Sequence, residues 1–143
     1  MIPRVLSTIA ITAGVMTLAL SGCARGPAHG ISATGVRFAQ ADVRDGAARF
    51  SAMAAAELEA RRNLRDTLLT SGDTYGLPED LRTLAMRSEY MRSTIDGIAR
   101  RARVMEASYS RAERRAEVTV VANPADVQRD LQAAWQRRGS MLP

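Results

Sequence analysis

Hydrophobic residues between Leu81 and Ala116 recur at alternating intervals of three and four positions, which is the spacing of one face of an α-helix. Ser88 is the one polar residue among them. Spacing of this kind, sustained over five heptads, is typical of a coiled coil or a helical bundle. Because proline suits the first position of a helix, Pro78 marks its start, and the pattern predicts a long helix over residues 78–118. The positions that carry the pattern are Leu81, Leu84, Ser88, Met91, Ile95, Ile98, Ala102, Met105, Tyr109, Ala112 and Ala116.

A weaker pattern of the same kind begins at Val36 and predicts a first helix over residues 36–70. Residues 71–77 follow as a short turn in which Gly72 is suited to cap the first helix. A short turn between two long helices favours an antiparallel hairpin. One heptad line of the first helix contains Val36, Val43, Phe50, Glu57 and Leu64, and the other contains Ala39, Gly46, Met53, Ala60 and Thr67.

The C-terminal region predicts a third, short helix that ends near Gly139. Asn123 and Pro124 suit the N-cap and the first helical position, and one apolar face follows. Residues 118–121 are all β-branched and leave three alternatives: a short extended piece, a continuation of the second helix, or a segment that lies along the hairpin. With a single run of this type we expect no sheet. The apolar face consists of Val127, Leu131, Ala134 and Trp135.

These patterns predict an all-α domain over residues 36–138. It is a long antiparallel, coiled-coil-like helical hairpin with a short third C-terminal helix, followed by a frayed tail over residues 139–143. Residues 23–35 are rich in glycine, with Pro27 among them, and this composition is typical of a flexible linker.

The N-terminal segment has the organisation of an export signal. Arg4 precedes an apolar stretch from Val5 to Leu20, which is shorter than the roughly 20 apolar residues that a spanning helix requires. A positive start, a short apolar centre and small residues at the end are typical of a cleaved signal peptide. We therefore expect residues 1–22 to be removed.

The four residues Leu20-Ser21-Gly22-Cys23 resemble the lipobox of bacterial membrane lipoproteins. The resemblance implies that Cys23 carries diacylglycerol and that its new amino group receives an acyl chain such as palmitate. It also implies a cell-envelope location facing the periplasm. Ala24, rather than aspartate, follows the cysteine, and this favours the outer membrane over the inner membrane.

All 20 basic residues are arginine, and the net charge of the whole chain is +5. This small excess permits contact with anionic lipid, lipopolysaccharide or acidic polymer, but it does not indicate a nucleic-acid partner. On a helix face such arginines are either a site for an anionic surface or a solvated face balanced by glutamates. The candidate contact residues are Arg100, Arg101, Arg103, Arg111, Arg114 and Arg115.

Catalytic and metal chemistry have few candidate residues in this sequence. His29 is the only histidine and Cys23 the only cysteine, so neither has a matching partner for a zinc site or a nucleophilic pair. Sequence motifs of hydrolases, metalloproteases and nucleotide-binding loops are absent from the sequence. We therefore expect no enzyme activity, no cofactor and no metal.

Two functions remain as expectations. The first is a lipid-anchored envelope protein with a structural or adaptor role, which contacts the membrane through its N-terminal lipid and binds a protein partner or a second copy of itself. The alternative is an arginine-rich helical module that binds anionic lipid, lipopolysaccharide or peptidoglycan non-covalently.

Overall fold

A computed structural model describes residues 30–139 of the chain. These residues form three strands and four helices, so the domain is a mixed α/β fold and the all-α prediction is wrong. The predicted leader (residues 1–22), Cys23, residues 24–29 of the predicted linker and residues 140–143 lie outside the described residues. The elements are β1 (Ile31–Phe38), α1 (Asp45–Thr70), α2 (Leu81–Arg87), α3 (Glu89–Arg101), β2 (Arg103–Ser110), β3 (Arg115–Ala122) and α4 (Pro124–Gly139).

The three strands form one antiparallel sheet in the order β1-β3-β2. Gly35 of β1 and Ala107 of β2 lie opposite Val118 of the central strand. A β-bulge interrupts β2 at Met105. Alternate residues of β3 are buried, as expected for a strand with one face on the core. The buried residues of β3 are Ala116, Val118, Val120 and Ala122.

The predicted second helix is divided into several elements. Ser88 has an extended backbone (φ −135°, ψ 113°), ends α2 and caps α3, because its hydroxyl accepts a hydrogen bond from the Met91 N–H at 3.3 Å. The polar residue in the heptad pattern is therefore a helix boundary. Beyond Ala102 the chain forms β2 and β3, because β1 supplies the further strand that the sequence interpretation lacked.

The first helix begins later than predicted and buries a different face. Residues 31–38, which include the last part of the predicted linker, pair with β3, so α1 begins at Asp45. Phe50, a member of the predicted seam, is 78% exposed. The buried residues recur at every fourth position and are Ala48, Ala52, Ala56, Ala60, Leu64 and Leu68.

The alanines of α1 allow its backbone to approach β1 closely. A Cβ atom on Gly35 would lie 2.1 Å from the Ala56 carbonyl oxygen and 2.4 Å from the Ala60 nitrogen. Such distances leave no room for any side chain at position 35. The glycine of β1 and the small residues of α1 therefore fit together as one contact.

The second half of α1 packs in a cluster of helices. Leu64 and Leu68 are fully buried in one core with large side chains from α2, α3 and α4. The element α4 coincides with the predicted third helix, and Trp135 on its predicted apolar face is partly buried against the core. Within residues 30–139, no helix is long and apolar enough to cross a membrane. The large side chains of this cluster are Leu81, Leu84, Met91, Ile95, Val127 and Leu131.

Candidate functional site

The six predicted contact arginines lie at two places and do not share a helix face, so the predicted arginine-rich helix face is wrong. Arg100 and Arg101 end α3, and Arg103 begins β2. The other three lie in the turn between β2 and β3 or at the start of β3. Because an eight-residue strand separates the two groups, they are about 25 Å apart along the sheet. The second group consists of Arg111, Arg114 and Arg115.

The arginines of the β2–β3 turn are engaged within the domain. Arg114, with φ +49°, donates to the carbonyls of Gln40 and Val43 and so fixes the loop before α1. Arg111 and Arg115 form ion pairs with Asp45 and Glu117, at 2.7 and 2.6 Å. Of these side chains, Arg111 is the most exposed, and a surface pair of this kind is worth about 1 kcal/mol or less.

Two arginines of the other group, Arg101 and Arg103, border a cleft of about 670 Å³ between the start of β2, the end of β3, the end of α3 and the start of α4. Apolar side chains from all four elements contribute to its lining, and three guanidinium groups join them. Its volume falls within the range of about 300–1,000 Å³ in which ligand pockets are found. The apolar residues include Ile98, Met105, Val121 and Val127, and the basic residues are Arg101, Arg103 and Arg129.

Ion pairs account for two of the three arginines of this cleft. Arg101 contacts Asp130 at 3.0 Å, and Arg129 contacts Asp126 at 2.8 Å and Asp130 at 3.6 Å. The Arg103 side chain is exposed, and its guanidinium group has no hydrogen-bond or ion-pair partner within residues 30–139, although its main chain pairs with Val121. The cleft therefore has one more positive than negative charge, and its unpaired cation is Arg103.

The described part of the chain begins beside this cleft. Gly30 forms part of the cleft wall and leads directly into β1. Cys23, the predicted lipidation site, precedes Gly30 by seven residues. An extended chain of that length spans at most about 25 Å. Whatever holds Cys23 therefore also holds the cleft within that distance.

The two edges of the sheet differ. At the β1 edge, the Val36 N–H donates to the Glu59 carboxylate at 3.0 Å, and the Asn63 side-chain amide donates to the Thr34 carbonyl at 2.8 Å. Glu59 also pairs with Arg37 at 3.2 Å. Side chains of α1 thus occupy two of the main-chain groups of β1 that point away from the sheet, the Thr34 carbonyl and the Val36 N–H.

The β2 edge has no such cover. Across residues 30–139, no side chain hydrogen-bonds to the main chain of β2. The bulge at Met105 separates the first residues of the strand, which border the cleft, from the regular segment 106–110. An uncovered edge strand is a template for pairing with another chain. The segment 106–110 is therefore the open edge of this domain.

Within residues 30–139, two titratable groups have shifted pKa values: Asp80 is the N-cap of α2, and Tyr75 lies in a turn before that helix. The Thr83 N–H and hydroxyl donate to Asp80 at 2.9 and 2.8 Å and lower the pKa of that carboxyl group. Burial raises the pKa of Tyr75. Within the described part of the chain, no three His, Cys, Asp or Glu residues are grouped so as to hold a metal ion.

Comparison of the chain with protein-family models, with curated proteins and with solved structures found no match.

Sequence interpretation selected Arg101 and Arg103 of the cleft, together with Arg100, which does not line it, and missed the other residues of the cleft. Arg129 and Asp130 lie on the polar face of the predicted third helix, where charged residues are ordinary. The signal that could have revealed the cleft is the alternation of residues 115–122, which is typical of a β-strand. Because this strand runs antiparallel to β2, the chain returns and α4 packs against α3. Without that turn, nothing in the sequence brings Arg103 and Arg129 together.

Proposed function

We propose that the protein is a lipid-anchored protein of the cell envelope, acylated at Cys23, with its α/β domain facing the periplasm. The outer membrane is favoured over the inner membrane because Ala24 follows the cysteine. The lipobox, placed after a positive start and a short apolar segment, supports the anchor. Two or more acyl chains at one site are sufficient for stable attachment, whereas one chain is not.

The proposed role of the anchored domain is that of an adaptor that binds a protein partner or a second copy of itself. The observation that carries this role is the difference between the two sheet edges. Glu59 and Asn63 close the β1 edge, whereas residues 106–110 of β2 leave theirs open. A strand from another chain can extend the sheet at β2 alone, which gives the domain one directional docking edge.

The proposed role is non-catalytic. Asp80, which caps α2, and the buried Tyr75 are the described groups with shifted pKa values, and neither lines the cleft. A second candidate function, the binding of anionic lipid or polymer, is favoured by the unpaired Arg103 beside an apolar cleft wall.

Photo-crosslinking in the envelope tests the adaptor role. Ser108 on the open edge and Ser32 on the closed edge are both exposed serines, so each is replaced in turn by benzoylphenylalanine in the full-length chain. We expect crosslinked products several-fold more abundant for Ser108 than for Ser32, in the membrane fraction. Equal yields at both positions, or none at either, would contradict docking at the β2 edge.

Fractionation of the same cells tests the anchor. The wild-type chain should be recovered with the membranes and should lack its leader. A Cys23→Ala variant should remain unprocessed, because the acyl acceptor is missing. Processing of this variant at the wild-type position would contradict the lipobox interpretation.

A further inference from the structure

We propose that the cleft beside Gly30 lies against the membrane in which Cys23 is anchored and takes the anionic headgroup of a phospholipid. This inference rests on the proposed anchoring of Cys23. It adds a binding site, a ligand class and an orientation for the domain.

The first argument is the short reach of the chain. Gly30 lies seven positions after Cys23, so the cleft wall stays within about 25 Å of an anchored cysteine. This distance is comparable with the length of the domain's own eight-residue strands, so the anchored domain cannot stand far from the membrane. Of the two groups of arginines, the one around the cleft is the nearer to the point where the chain enters the domain.

The second argument is charge. Arg103 is exposed and unpaired within residues 30–139, while the arginines of the β2–β3 turn are bound to carbonyls and carboxylates of their own domain. A guanidinium group presents a planar fork of donors that matches the oxygens of a phosphate. Arg101, 65% exposed and tied to the rim residue Asp130, lies at the same cleft and can turn to a second phosphate oxygen.

The third argument is apolar exposure at the same place. Met105 is 46% exposed and lines the cleft, and its neighbour Val104 is 40% exposed. Large apolar side chains beside cations suit the boundary between headgroups and acyl chains, where the cation meets phosphate and the apolar group meets hydrocarbon. The β-bulge at Met105 keeps this part of β2 separate from the open edge at 106–110.

A fluorescent label at the cleft tests the proposal. Acylated full-length Met105→Cys protein is purified from envelopes, labelled with an environment-sensitive thiol dye and reconstituted into vesicles of phosphatidylcholine with or without phosphatidylglycerol. Acylated Cys23 has no free thiol, so one dye per chain is expected. We expect the emission to shift to the blue, and spin-labelled headgroups to quench it at least twofold more, when phosphatidylglycerol is present. A Phe50→Cys label on the exposed face of α1 should give the same emission in both vesicles.

Two arginine variants in the Met105→Cys background show whether Arg103 is responsible. Arg103→Gln should lower the docked-to-undocked ratio about fivefold, the effect of one basic residue near an anionic surface, and Arg103→Lys should retain most of the signal. Arg49→Gln removes an equally exposed arginine near the start of α1 and should leave the signal unchanged. Circular dichroism checks that each variant remains folded.

The outcomes separate the inference from the proposed anchor. One dye per chain with equal signals in both vesicles, or equal losses for Arg103→Gln and Arg49→Gln, would overturn the cleft proposal alone. Two dyes per chain would show a free Cys23 thiol and would overturn the anchor together with the inference. If inorganic phosphate reproduces the shift on pure phosphatidylcholine vesicles, the cleft binds the free anion and docking to a headgroup is wrong.

Discussion

The two halves of α1 pack in opposite ways. In the first half, alanines bring the helix backbone against β1, and the empty side-chain position of Gly35 admits it. In the second half, Leu64 and Leu68 reach outward to large side chains of the other helices. The first contact requires small residues, which let the two backbones approach, and the second requires large side chains, which fill the space between the helices. Larger side chains should therefore destabilise the domain most at the contact of the first half, and shorter side chains should destabilise it most in the second half.

The largest effect is expected from Gly35→Val. Its Cβ would overlap the Ala56 carbonyl, and since a helix backbone cannot yield like a side chain, α1 must move away from the sheet. We expect a loss of more than about 3 kcal/mol in the free energy of unfolding, measured by urea denaturation, or failure to fold. Gly46→Ala, in the first turn of the same helix, has open space around it and should be neutral or stabilising. Similar stability of Gly35→Val and the wild type would contradict the close contact.

Leu64→Ala comes next and tests the other half of the helix. Removal of a fully buried leucine leaves a cavity and should cost about 2–5 kcal/mol in the free energy of unfolding. The matched control is Leu58→Ala on the same helix, where the side chain is 52% exposed and the cost should remain below about 1 kcal/mol. Equal losses at the two positions would show that Leu64 is not in the core.

Glu59→Ala should have a smaller effect, at the place where the alanine half of α1 meets the edge of β1. The change removes the acceptor of the Val36 N–H and the ion-pair partner of Arg37. We expect a loss of about 1–2 kcal/mol and faster amide exchange at Val36, measured by NMR. Glu106→Ala on β2 removes a carboxylate that has no partner within residues 30–139, and this control should change stability little.

The smallest effect concerns pH and the helical half of the domain. Hydrogen bonds from Thr83 lower the pKa of Asp80 in the folded state, so its contribution is present above the unfolded pKa and is lost as pH falls through the folded value. Asp80→Asn keeps a cap but does not titrate. Between pH 5 and pH 2, urea denaturation should therefore show a larger loss for the wild type than for Asp80→Asn. An equal loss of stability in the two proteins over this pH range would mean that the ionised Asp80 does not stabilise the fold through its hydrogen bonds to Thr83.

The sequence predicted the helical parts of this domain better than its sheet. A helix over residues 45–70 and the helix α4 were predicted, although α1 buries a different face, and Ser88 was noted only as a polar interruption within one long helix. The strand β1 was not recognised because Ser32, Thr34 and Gly35 have the composition of a linker. These residues form a strand because they pair with β3. Gly35 is needed within it because the backbone of α1 lies close to that position.

The heptad pattern extended too far for a related reason. Met105, Tyr109 and Ala116 continue the helical spacing, but they lie on β2 and β3, where tertiary pairing overrides local spacing. Only part of the candidate site could therefore be predicted from the sequence. Arg101 and Arg103 could be selected as basic residues, but their meeting with Arg129 at one cleft depends on the sheet.

The most direct test of the central proposal, that acyl chains at Cys23 anchor this α/β domain to the membrane, is the intact mass of the native protein purified from envelopes. We expect a chain that begins at Cys23 and carries the added mass of a diacylglyceryl group and one further acyl chain. An intact leader, or a mature chain with an unmodified cysteine, would contradict it.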